Sequence, residues 1–194
     1  MTEKFLRAKH WQLFIFIFAI PFTLQWIFMS IPYIKNNPDL VYELMPLCMI
    51  IFGFGFVAWF WSIATGLQSI IPPEIKMKTK KFKVLLCIPL IYIPIAFNVM
   101  DLMPQGNFEV GDGENGGLYV LIIIAMIILH MISMFGILYS IYFVAKTFKT
   151  AELQRETRFA DFAGELFLIY FFPIGIWVVQ PKINKMTNNY ANKK

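Results

Sequence analysis

Charge and cysteine are scarce in this chain, and each scarcity removes a class of protein. Asp, Glu, Lys and Arg make up 15% of its 194 residues, against about 25% in soluble domains. The polar links between apolar runs are too short to hold a soluble domain of their own. Cysteine occurs twice, at Cys48 and Cys87. Both lie inside apolar runs near opposite ends, which excludes a disulfide framework and leaves them as free packing residues. No run alternates with period two, so the strands of a membrane barrel are excluded. There is no internal repeat, no glycine-rich phosphate loop, no His-Glu-x-x-His, no CxxC and no nucleophile elbow. The chain is therefore expected to be no enzyme and to hold no cofactor or metal. The stretch GDGENGG offers oxygens at Asp112, Glu114 and Asn115. It lacks the spaced ligands and closing glutamate of a calcium loop, and reads as a solvated turn.

What is present is apolar surface. Hydrophobic residues make up 58% of the chain, gathered into runs that predict spanning helices over 11–31, 44–71, 82–100 and 118–144. At about 1.5 Å per residue, each run covers a hydrocarbon core of about 30 Å. Pro21, Pro89 and Pro94 sit inside these runs, which membrane bundles tolerate because neighbouring groups satisfy the freed carbonyls. The fold class is an all-α integral membrane protein, one membrane domain over 1–194. The first run is longer than a signal h-region and is followed by no small-x-small site, so it is expected to remain.

Orientation follows from the basic residues. Lys4, Arg7 and Lys9 precede the first run; Lys76, Lys78, Lys80, Lys81 and Lys83 lie in the second link; Lys146, Lys149, Arg155 and Arg158 follow the fourth run. The acidic third link has no base. Bases near span ends stay cytoplasmic, which puts the N-terminus and the second and fourth links inside, and the C-terminus with them if the last apolar segment turns back. The net charge of +5 comes from these flanks, a pattern that speaks for anionic lipid at the cytoplasmic face and against nucleic acid.

The last apolar segment, 165–180, is short for a crossing and is followed by a basic tail, 181–194, holding Lys182, Lys185, Lys193 and Lys194. If it dips in and returns, all seventeen Lys and Arg but Lys35 lie inside. The expectation is therefore four transmembrane helices plus a C-terminal re-entrant or interfacial helical hairpin, turning at Pro173 and Gly175; the alternative is five transmembrane helices. A surface helix is expected over 150–163, with Thr150 as N-cap, Glu152 paired to Arg155, and Arg155 or Arg158 balancing Glu165.

The stretches KHWQLFIFIFAIPF and FAGELFLIYFFPIGIWVVQPKIN resemble those of a group of uncharacterised bacterial multi-pass membrane proteins. The resemblance implies a bacterial cytoplasmic-membrane setting and carries no activity or functional residue with it. It also implies that the FFPIGIW–QPKIN ending is a recurring module.

Two sets of residues are candidates for function. Gln25, Asn98 and His130, with Ser133 beside the histidine, lie at about one depth in three runs and would line a polar pocket. Intramembrane polar groups are functional candidates because burying them in lipid is costly; as plain interhelical hydrogen-bond glue they need no function. Ala58, Ser62 and Gly66 recur at four-residue spacing and would let helices approach closely, within the chain or in a homo-oligomer. The expected function is a non-enzymatic accessory or interaction protein docking a membrane partner. The alternative is a small transporter or channel-like protein using the polar level.

Overall fold

The computed structural model describes residues 2–102 and 116–192. Residues 103–115 of the third link, with Asp112, Glu114 and Asn115, and the final Lys193 and Lys194 lie outside the described residues. Among those described, every element is helical. In chain order they are α1 (Thr2–Arg7), α2 (His10–Ser30), α3 (Pro32–Lys35), α4 (Pro38–Gly66), α5 (Thr79–Leu102), α6 (Gly116–Leu153), α7 (Phe159–Tyr170) and α8 (Phe172–Ala191). Four of them, α2, α4, α5 and α6, are long and apolar enough to cross a membrane.

Proline sets much of the local geometry. Pro21 has no N–H to give the carbonyl four residues back. The helix answers with a widened π turn over Ile15–Ala19 immediately before it. Pro38 starts α4 from the first turn, where a missing donor costs nothing, so this helix begins earlier than the apolar run alone suggests. It closes in a 3-10 turn, Leu67–Ser69.

The chain forms two compact units, Lys78–Ser140 and the rest (Met1–Met77 with Ile141–Lys194), the boundary falling within α6. In the smaller unit, Pro89 leaves the Leu85 carbonyl without its helical donor. Gly136 of α6 lies directly on that carbonyl, and a Cβ there would come within 2.5 Å of it. Glycine is required at this close approach. One turn on, the Ser140 hydroxyl donates to the Gly136 carbonyl at 2.7 Å.

The larger unit has a dense core of Trp59, Phe60, Ile63, Phe148, Phe162, Ile169, Ile176 and Ile183, each almost wholly buried. A ladder of rings joins its elements. Trp177 meets His10 and Phe14; Phe14 leads through Phe18 and Phe22 to Phe52; and Phe52, Phe56 and Trp59 surround Phe172. Ring centroids along it are 4.4–6.4 Å apart, a range in which aromatic pairs attract beyond simple burial.

Between α6 and α7 the structure departs from the expected surface helix over 150–163. Helix α6 runs on to Leu153, and Gln154 then takes a left-handed backbone, φ 53°. The side-chain amide of Gln154 donates to the carbonyls of Ala151 and Ile70. Thr150 is not an N-cap; buried inside α6, its hydroxyl pairs with that of Thr157 at 2.9 Å. The new helix starts at Phe159, where the Asp161 carboxylate accepts the Arg158 amide at 2.8 Å. That satisfies one of the donors a helix start leaves free.

Candidate functional site

A polar constellation lies where α8 meets α1, α4, α7 and the 141–153 part of α6, all within the larger unit. Three residues of one stretch build it, Gln180, Lys182 and Asn184. Helix α1 ends at Arg7, and the extended Lys9 separates it from α2. The Lys9 amide turns to Gln12 Oε1, so the carbonyls of Phe5, Leu6 and Ala8 have no helical donor. Gln180, fully buried, supplies one. Its Nε2 donates to the carbonyls of Phe5, Leu6 and Ala8 at 3.0, 3.2 and 3.0 Å, and its Oε1 accepts the Trp59 indole N–H at 2.9 Å. One turn later Asn184 Nδ2 donates to Leu6 and Ala8 at 2.8 and 3.2 Å. Two side-chain amides thus close the end of a helix far away in sequence.

Beside this clasp is a four-charge cluster. Lys149 Nζ donates to Glu152 at 2.7 Å and to Glu165 at 2.8 Å. Lys182 approaches the same two carboxylates at 3.6 and 3.9 Å. Glu165 is buried, so its charge requires these partners. The expected pairings do not form. Lys149 and Lys182 balance Glu165 in place of Arg155 or Arg158, and Arg155 turns from Glu152 to grip Asp161 with two N–H groups at 3.1 and 2.9 Å. The continuation of α6 to Leu153 brings Lys149 into reach. The turn that follows carries Arg155 toward the start of α7, where the bond from Arg155 and then the Arg158 amide hold the Asp161 carboxyl below the usual carboxylate range.

The expected turn at Pro173 and Gly175 is displaced by a few residues. The break between α7 and α8 is at Phe171, φ −84° and ψ 58°. Pro173 lies in the first turn of α8, where it disrupts nothing. Gly175 is buried, and a Cβ on it would run into the Leu168 carbonyl. It is a point of helix contact.

Of the other candidates, Ser62 and Ala58 are buried, and Gly66 lies under Leu6 and Thr2 of α1. Gln25 is half-buried in the larger unit, while Asn98, His130 and Ser133 belong to the smaller one. Asn98 Nδ2 donates to the Pro94 carbonyl of its own helix at 2.8 Å. Ser133 is buried. His130 is exposed, and its Nδ1 lies 3.0 Å from the hydroxyl of Tyr92, a partner not singled out from the sequence. Among the described residues no three His, Cys, Asp or Glu side chains gather into a metal-binding group. The clasp and the charge cluster offer hydrogen bonding and ion pairing. Set against known protein families, curated proteins and solved structures, the chain matches none of them.

Proposed function

We propose that this is a non-enzymatic accessory or interaction protein of the bacterial cytoplasmic membrane, whose C-terminal module docks a membrane partner from the cytoplasmic leaflet. In this reading α2, α4, α5 and α6 cross, both termini are cytoplasmic, and α7–α8 enters the inner leaflet and returns. The observation that carries it is the position of the Phe171 break relative to what precedes and follows it. Phe172 packs against Phe52, Phe56 and Trp59. Phe52, Phe56 and Trp59 lie about 21, 15 and 10 Å along α4 from Gly66, at ~1.5 Å per residue, so in this reading the tip reaches about the middle of a core of ~30 Å. On either side of that tip, Glu165 and Lys182 come back within 3.9 Å of each other. Gln180 and Asn184 reach the residues immediately before α2 starts. A fifth crossing would instead carry Lys182 and Lys185 away from the basic side.

The module presents Phe167, Tyr170, Phe171, Ile174 and Trp177 outward. Clasp and charge cluster hold these rings in fixed places, as an apolar docking surface requires, with Lys185 and Lys9 beside anionic headgroups. Purification in mild detergent followed by native mass measurement tests this. The expected result is a stoichiometric membrane-protein companion that is lost on Phe167→Ala/Ile174→Ala in a chain that still folds. A companion retained by that variant, or none at all, contradicts the docking role.

A further inference from the structure

His130, in the middle of the apolar run 118–144, forms a polar pair with Tyr92 of α5, 3.0 Å apart within the smaller unit, and His130 is exposed. Among the described residues, the pair satisfies only half of what it carries. If the Tyr92 hydroxyl donates to Nδ1, the imidazole keeps an unused Nε2–H donor and the phenol oxygen an unused lone pair. If instead Nδ1–H donates to the phenol, Nε2 is left as an acceptor and the phenol O–H as a donor. Either tautomer leaves one donor and one acceptor side by side. At mid-membrane there is no water to take them, and unsatisfied polar groups in hydrocarbon cost free energy. A surface with one spare donor and one spare acceptor is complementary to itself under a two-fold rotation, the condition for an isologous interface.

We infer that the face of α6 centred on His130 is a homodimer interface, in which each His130–Tyr92 pair completes that of a second copy in a closed ring of four hydrogen bonds. The flanking side chains suit this. Ile123, Ile127, Met134 and Ile137 lie on the same side of the helix as His130 and are exposed. Gly136, Ser133 and Ser140, on the other side of the histidine, are buried. The inference rests on the reading that 118–144 crosses the bilayer, and it names one occupant of a membrane-protein interface, a second copy of this chain.

The test uses the full chain without Cys48 and Cys87, in phospholipid vesicles, with a single cysteine at Met134 or at Ile128. Met134 is one turn from His130 on its own face; Ile128 is exposed on the opposite face. Oxidation is expected to cross-link Met134→Cys into a homodimer and to leave Ile128→Cys largely monomeric. By resonance energy transfer on lipid dilution, Tyr92→Phe, which keeps the ring packing, should self-associate about threefold to tenfold more weakly. His130→Gln, which keeps a donor and an acceptor, should stay within about twofold. Equal cross-linking at both positions, or undiminished association of Tyr92→Phe, overturns the dimer. An impermeant aqueous maleimide separates the two levels of failure. Reaction at Met134→Cys in intact vesicles sinks the membrane reading itself, whereas a protected but uncross-linked Met134→Cys sinks the dimer alone.

Discussion

Gln180 shows how one side chain sets a register. It bonds a helix of the C-terminal segment to Trp59 of α4 and to three carbonyls near the start of the chain. Asn184 still serves the Leu6 and Ala8 carbonyls, so losing Gln180 strands the Trp59 N–H and the Phe5 carbonyl, at about 1–3 kcal/mol each. Gln180→Leu is therefore expected to lower unfolding stability by about 2–4 kcal/mol in a detergent–denaturant titration. Trp59→Phe in the same chain should show coupling, the double variant losing about 1 kcal/mol less than the sum of the singles. Strictly additive losses would mean the bond seen at 2.9 Å contributes nothing. This residue was not legible in the sequence. Pro181 and the polar residues after it read as a tail, and only the i, i+4 spacing of Gln180 and Asn184 signalled one face of a continuing helix. Their partners are backbone carbonyls, which no side-chain pattern displays. Asp161 carries a pH prediction. Its folded pKa is depressed by Arg155 and the Arg158 amide, so its contribution is present above the unfolded value of about 3.9. It is lost only as pH falls further, through the folded value. Amide exchange in the first turn of α7 should be faster in Asp161→Asn than in the parent at pH 6, and the two should converge near the acid limit.

At the scale of elements, the four long helices were legible because apolar runs of spanning length have few competing explanations. Their ends were less so. Nothing in AELQRETRFADF marks a break, since it contains neither glycine nor proline. The left-handed Gln154 is imposed by tertiary partners, its own amide to Ile70 and the Thr150–Thr157 bond. The α7–α8 junction shows the converse. Proline and glycine advertised a turn, yet Pro173 starts a helix and Gly175 permits a contact. The two substitutions should separate accordingly. Pro173→Ala should change stability by no more than about 0.5 kcal/mol, as expected where the first turn of a helix has no donor to lose. Gly175→Ala places a methyl against the backbone of Leu168 and should cost about 1–3 kcal/mol, the usual range for overpacking. A larger loss at Pro173 than at Gly175 would restore the turn to the proline.

For the whole molecule, the central claim is that the last apolar segment returns to the side it came from, so that α8 ends in the cytoplasm. The charge pattern and the contacts of residues 180–184 with residues 5–8 point the same way for independent reasons. One is the cost of moving lysines across a membrane potential; the other is hydrogen bonding between segments remote in sequence. The direct measurement is labelling of intact cells with an impermeant thiol reagent, using chains without Cys48 and Cys87. Single cysteines go at Asn188, exposed on α8, and at Asn37, exposed in the first link. Asn37→Cys should label in intact cells, and Asn188→Cys only after the membrane is permeabilised. Labelling of Asn188→Cys from outside, with Asn37→Cys labelled as well, would mean that α7–α8 crosses, and would contradict the re-entrant module on which the docking role depends.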